Sequence, residues 1–273
     1  MPFSEGIIQT NISPFARLHC TNFCYLQFQI VGLSNLFLFG LLVVLLLLAQ
    51  FAAAKTADEI IERHLLACGG LEKLSAVQSI YFEGIKVEGA MEPCIKIVKE
   101  QNKFCRTEII TGEENAFLLV TKQGAWSFSP QKPGFAKKIP SEQAVALQLE
   151  IDTVGPLVDY LAKGHMVSLM GKELLEEKKC FKIKLKTKSG VEMLFWIDAK
   201  TYLIKQSSIR RLGEGAYETQ TQYKNYKAIG GVKFAQSIIT YESNRNQPNI
   251  SQEIFFRKIL INPPIDPTMY QPI

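Results

Sequence analysis

From Ser79 onward the chain alternates apolar and polar residues with period two, interrupted at short intervals by Gly and Asn, a pattern that predicts β-strands joined by tight turns. Expected strands cover 79–90, 93–101, 104–111, 115–121, 124–129, 165–175, 179–188, 191–198, 202–211, 216–228, 232–243 and 250–260. Two stretches have helical spacing instead. Residues 57–66 place apolar side chains on one helical face, with Thr56 as cap and Gly69-Gly70 as stop, and residues 71–77 add a second short helical turn. Mid-chain, residues 141–164 carry helical spacing at Val145 and Leu149 and again at Leu157, Tyr160 and Leu161, with Gly155-Pro156 expected to divide two short helices. The predicted architecture is an α+β domain, mainly β: a long antiparallel sheet of open-barrel type, one helix before it and a helical excursion in its middle.

The alternation also says where the inside is. Phe181, Ile183 and Leu185 alternate with Lys182, Lys184, Lys186 and Lys188, so that strand has one dry and one wet face, and the lysines read as a solvated surface. By contrast Met193-Leu194-Phe195-Trp196-Ile197, Phe117-Leu118-Leu119-Val120 and Ile254-Phe255-Phe256 are apolar on both faces. A sheet apolar on both sides must be covered on both, or must face a ligand cavity.

Residues 36–54 are without charge and end in Ala52-Ala53-Ala54, the small residues that signal peptidase requires before its cut. Cleavage after Ala54 is expected, leaving 55–273 as a single domain in the periplasm; an uncleaved inner-membrane anchor through 36–54 is the alternative. Residues 1–35 are long for the start of a signal, and an initiation point near Val31 or Leu33 would account for them. Within 1–54 the only charges, Glu5 and Arg17, cancel, so the rest of the chain keeps the formal +5. With 31 Lys+Arg against 26 Asp+Glu well mixed, nothing points to nucleic acid.

Four cysteines follow the leader, Cys68, Cys94, Cys105 and Cys180. Disulfides are permitted in an exported protein, but a hairpin near Gln101-Asn102 sets Cys94 and Cys105 out of register, and buried free thiols are expected. His64 and His165 have no second ligand at metal spacing and read as surface or boundary residues. No nucleophile elbow, P-loop or dinucleotide fingerprint is present, and Glu192 and Asp198 bracket an apolar strand as its ends rather than as a catalytic pair. No metal, cofactor or enzymatic activity is implied. What the chain has in quantity is apolar and aromatic side chains: Phe82, Ile97, Phe104, Phe117, Leu119, Trp126, Phe128 and Phe195 on strands, with Val145, Leu149 and Leu157 on the excursion. Each singly also suits a plain core. Together, under a helical excursion crossing a curved sheet, they suit a lining for acyl chains.

In order along the chain, Ala57-Asp58-Glu59-Ile60-Ile61, Cys68-Gly69-Gly70-Leu71-Glu72-Lys73-Leu74, Lys122-Gln123-Gly124-Ala125-Trp126-Ser127-Phe128-Ser129-Pro130, Gly155-Pro156-Leu157-Val158-Asp159-Tyr160, Lys163-Gly164-His165, residues 195–205 and Ile261-Asn262-Pro263-Pro264-Ile265-Asp266 resemble the periplasmic lipoprotein-carrier (LolA-like) superfamily and its outer-membrane lipoprotein-sorting proteins. The resemblance implies an incomplete, half-open antiparallel β-barrel covered by an N-terminal helix and a mid-chain helical lid. It implies a non-catalytic chaperone for acyl chains of lipoproteins or lipids, loaded and relieved by membrane proteins. Relatives that monitor the envelope by binding a regulatory protein supply the alternative, an interaction module on the same fold. The family's lid-holding arginine and following proline precede the third strand; here that run reads Lys99-Glu100-Gln101-Asn102-Lys103-Phe104-Cys105-Arg106, with Glu100 and Gln101 in their places. Arg106 is the substitute expected to contact the lid.

Overall fold

The computed structural model describes residues 55–87, 89–132, 134–211, 217–244 and 247–272. The expected leader and its cleavage site lie outside them. Helix α1 (Ala57–Cys68) starts at a capping box in which the Thr56 hydroxyl accepts from the Glu59 amide and the Glu59 carboxylate accepts from the Thr56 amide. It ends at Gly69, with φ +127°, where an added Cβ would lie 2.3 Å from the Gly231 carbonyl oxygen; only glycine lets these two segments approach so closely. Helix α2 (Leu71–Ser75) follows.

Thirteen strands then form one antiparallel sheet. They are β1 (Ser79–Val87), β2 (Cys94–Glu100), β3 (Phe104–Thr111), β4 (Glu114–Thr121), β5 (Gly124–Phe128), β6 (Lys137–Lys138), β7 (Met166–Leu175), β8 (Lys178–Lys186), β9 (Glu192–Asp198), β10 (Ile204–Arg211), β11 (Tyr217–Ile229), β12 (Val232–Asn244) and β13 (Gln247–Ile261). The order is β6-β5-β4-β3-β2-β1-β13-β12-β11-β10-β9-β8-β7, so every neighbour is a sequence neighbour except where β1 pairs with β13. Edges β6 and β7 are not joined to each other, and the sheet stays open. This is the expected half-open barrel. The pair of lysines forming β6 carries no alternation by which the sequence could announce it.

The excursion is the connection between the two edges. It opens with helix α3 (Ser141–Leu147) and a 3-10 turn (Gln148–Ile151). The second expected helix does not form: Gly155 at φ +90° and Asp159 at φ +49° interrupt it, and residues 156–164 run as successive turns. Lys163 closes this loop, its ammonium bonding Asp152 Oδ2 at 2.6 Å and the Gly155 carbonyl at 3.1 Å. Along its path Leu147 packs with Cys105, Val120 and Ala125, Val158 with Ile80 and Phe256, and Leu157 with Ile183 and Phe195. The excursion thus crosses the inner face of the sheet from β3–β5 to β8–β9. Helix α1 covers the same face further along, Ile60 and Ile61 sharing the cluster of Leu157.

The opposite face of β2–β5 is covered by the C-terminal tail. A 3-10 turn, Pro267–Tyr270, lays Met269 and Tyr270 on Val98, Phe104, Phe117 and Leu119. Tyr270 and Phe104 rings meet at 4.4 Å. Strand β8 behaves as its alternation predicts: Phe181, Ile183 and Leu185 are buried, while Lys182 and Lys184 pair outside with Glu173 and Glu192. Asp198 ends β9, its Oδ1 accepting from the amides of Lys200 and Thr201. Burial opposes its ionised form, and these backbone donors outweigh that, holding its pKa below the usual carboxylate range. Cys68, Cys94, Cys105 and Cys180 are free thiols, and all but the half-buried Cys94 are buried.

Candidate functional site

Between the inner face of the sheet and the excursion lies a cavity of two lobes. The larger, about 470 Å³, is walled by β1–β4, β11–β13, Leu147 and Glu150; the smaller, about 210 Å³, lies under α1 and residues 153–158. The lobes share Phe82, Lys99, Tyr223, Phe234 and Ala235, so they adjoin along a common wall. Their walls are chiefly apolar, as a site that holds hydrocarbon must be.

Of the expected lining residues, Phe82 lies on both lobes, Ile97 on the larger, and Leu157 and Phe195 on the smaller. Phe104, Phe117, Leu119, Trp126 and Phe128 do not reach it. They pack in the cluster beneath the C-terminal tail, where Phe117 and Phe128 stack at 5.6 Å. The reason is parity: on β4 Leu118 and Val120 point into the cavity, which sends Phe117 and Leu119 to the other face. Val145 and Leu149 are half-buried on the excursion but line neither lobe; the adjacent Leu147 and Glu150 do.

Arg106 is likewise on the tail side. Its Nε donates to Glu108 at 2.7 Å, its Nη1 to the Gln271 carbonyl at 3.1 Å, and its guanidinium lies 4.0 Å from the Phe117 ring centroid. It straps the tail, and the lid is held by its neighbours at the β2–β3 turn. Lys99 Nζ lies 2.6 Å from Glu150 Oε2, the Thr153 amide donates to Gln101 Oε1 at 2.7 Å, and the Asn102 amide donates to the Ile151 carbonyl at 3.0 Å. Burial acts to lower the Lys99 pKa, and its acidic surroundings, Glu150 foremost with Asp152, more than offset it, so the ammonium remains charged in the cavity wall. The signal for Lys99 was available: it shares the parity of Ile95 and Ile97, which places a cation on an otherwise apolar face.

His64 is not a surface residue. It is buried on the wall of the smaller lobe, with Nδ1 2.8 Å from the Tyr202 carbonyl, which fixes the proton on that nitrogen. Burial lowers its pKa, so it is neutral. The nearby Cys68 thiol is pushed up to about 11 by burial. A neutral imidazole beside a protonated thiol is a packed polar pair with no activated nucleophile. Among the described residues no group of His, Cys, Asp and Glu is gathered as a metal site, and no helix is long and apolar enough to cross a membrane.

The fold and cavity define a LolA-like half-barrel. A LolA superfamily protein from Nitrosomonas europaea superposes with a TM-score of 0.51 at 12% identity, over 79% of this chain and 98% of that one. A DUF1329 family protein from Desulfovibrio piger superposes with a TM-score of 0.54 at 9% identity, over 80% of this chain and 98% of that one. At such identities what is shared is the fold. No family model matches the sequence, and a search of curated proteins finds no match.

Proposed function

We propose that residues 55–273 form a periplasmic carrier that shelters acyl chains of a lipoprotein or lipid in the two-lobed cavity and passes them toward the outer membrane. Cleavage after Ala54 would release the carrier from its leader. Membrane proteins at either end of the route would load and relieve it, and no covalent step is involved. The observation that carries this reading is the largely apolar, half-open space between an open sheet and the segment that crosses it. Its larger lobe, about 470 Å³, falls within the range of about 300–1,000 Å³ usual for ligand pockets. Each methylene moved there from water contributes about 0.8 kcal/mol, so a long chain is retained without any specific bond. The LolA-like fold supports the same reading.

The test is native mass spectrometry of the full chain expressed with its leader and purified from the periplasm, followed by lipid extraction and N-terminal sequencing of the same sample. Stoichiometric bound lipid and an N-terminus at Lys55 are expected. A mass without ligand that stays unchanged after phospholipid and lipopeptide are added would overturn the carrier reading and favour an interaction module that binds a protein partner.

A further inference from the structure

One end of the larger lobe departs from what an acyl-chain lining requires. On β2–β4 the side chains facing it are Ile95, Ile97, Cys105, Ile109, Leu118 and Val120, with Lys99 and Thr107 as the polar exceptions. Across β10–β13, beyond Ile238, Ile254 and Phe256, which also line the lobe, the register brings polar side chains into one row. Ser207 is paired in register with Thr221, Thr221 with Thr240, and Thr240 with Gln252, which sets one hydroxyl or amide on each of four adjacent strands. The next row adds Thr219 opposite Glu242. Thr219, Thr221, Thr240, Glu242 and Gln252 all line the larger lobe.

Two features separate this row from an ordinary hydrogen-bonded sheet surface. Thr219 is 7% exposed, and its Oγ1 is buried without a hydrogen-bond partner, an arrangement that weakens the fold unless something else meets the hydroxyl. Rotation about χ1 exchanges that hydroxyl with the methyl group and offers it to a ligand in the lobe. Thr221 and Thr240 touch each other only at 3.5 Å, which leaves their remaining donor and acceptor capacity unused by one another. The charged side chains on this lobe are Lys86, Lys99, Glu150 and Glu242, which cancel in sign. The wall therefore gives no net attraction to an anionic or cationic headgroup.

We propose that the larger lobe takes an amphiphile end-on, its hydrocarbon against β1–β4 and an uncharged, hydroxyl- or ester-bearing glyceryl headgroup on the row formed by Thr219, Thr221, Thr240 and Gln252. This rests on the carrier reading and specifies its cargo: an acylglycerol-type ligand rather than a bare chain or a fatty acid. The headgroup supplies the partner that Thr219 lacks. The floor sets the ligand's direction, with chain ends toward Lys99 and the shared wall of the two lobes.

The test is displacement of a fluorescent acyl probe from the exported protein by three competitors of equal chain length: a monoacylglycerol, a fatty acid and an alkane. The monoacylglycerol should bind at least about tenfold more tightly than the alkane, as one or two well-made hydrogen bonds allow. It should also bind more tightly than the fatty acid. The triple variant Thr219→Val, Thr221→Val, Thr240→Val should lose most of that preference while its alkane affinity holds or rises, which also reports that the cavity is intact; Thr221→Val alone should give part of the effect. Equal binding of all three competitors, a preference for the fatty acid, or an undiminished preference in the valine variants would overturn the headgroup site and leave the carrier standing. Failure of all three to displace the probe would overturn both. A diacylglyceryl-cysteine peptide compared with the corresponding diacylglycerol then identifies the source of the glyceryl group, either of them binding through the threonines being the expected result.

Discussion

Removing the charge of Glu150 should harm the protein more than removing its partner Lys99. The two groups meet at 2.6 Å, but Lys99 is 15% exposed and Glu150 56% exposed, so the environments of the partners are unequal. Glu150→Gln leaves an ammonium in an apolar wall with only the weaker attraction of Asp152, since the buried Cys105 thiol is uncharged. A fully buried pair broken from one side costs about 3–5 kcal/mol; solvent around position 150 screens part of that, which reduces the expected loss to about 1–2 kcal/mol. Lys99→Met removes the buried charge itself, keeps the length of the side chain, and leaves a carboxylate already half in water. Its cost should be below about 1 kcal/mol, and its affinity for hydrocarbon should rise. Urea denaturation of both variants measures the stabilities, and hydrogen exchange across residues 148–158 reports whether the lid loosens while β2 stays protected. If Lys99→Met proves the more damaging variant, or if a double-mutant cycle shows no coupling between the positions, the ion pair does not hold the lid.

Gly84 sits at the irregularity in the β1–β13 pairing, where an added Cβ would lie 2.1 Å from the Phe255 carbonyl oxygen. Gly84→Ala should therefore lower unfolding stability by about 3 kcal/mol or more, as overpacking against backbone does; a midpoint within error of wild type would contradict the seam geometry. Trp126→Ala with Phe128→Ala should cost about 1–3 kcal/mol for each half-buried ring beneath the tail yet leave bound lipid per folded molecule unchanged; selective loss of lipid would return these residues to the lining. His64 has its pKa held below 6.5 by burial, so the unfolded chain takes up a proton that the folded chain refuses. Stability is then full above pH 6.5 and declines as pH falls below it. His165 is shifted the same way, by burial and then by Lys163. His64→Gln should flatten part of the thermal-midpoint decline between about pH 7 and pH 5, and an unaltered slope would show that His64 is not its source.

The strands were legible because their turns are punctuated and their alternation is long: residues expected at 93–101 and 115–121 appear as Cys94–Glu100 and Glu114–Thr121. The start of α1 was legible from Thr56 alone. The lining was legible only where polar residues break the apolar parity. On β8 the lysines disclose the dry face, whereas in Phe117-Leu118-Leu119-Val120 both parities are apolar and the sequence gives no preference. The tail decides it, because Met269 and Tyr270 cover Phe117 and Leu119, and that contact joins parts of the chain too far apart for any local pattern to reveal. The lost helix at 156–164 has a local cause that spacing also hides: Asp159 adopts a positive φ, which an aspartate tolerates without announcing it.

The position of the cavity follows from where the meander is interrupted. Consecutive strands elsewhere lie side by side, but the connection between β6 and β7 joins opposite edges of an open sheet. A segment that begins on one rim and ends on the other must cross the sheet, and the outer face near its start is occupied by the tail, so it crosses inside. Once there it cannot lie flat, because Leu147, Val158 and Leu157 dock at three separate points and bridge the floor between them. The space beneath is the cavity. Its cover is tied covalently to both rims and noncovalently to the β2–β3 turn through Lys99, Gln101 and Asn102, to the β4–β5 turn through Gln148 and to α1 through Tyr160 and Asp58, so widening the cavity requires these polar contacts to let go before either rim does. That is why the Lys99–Glu150 ion pair, and not the larger apolar contacts, is where a small change in charge should alter ligand exchange most.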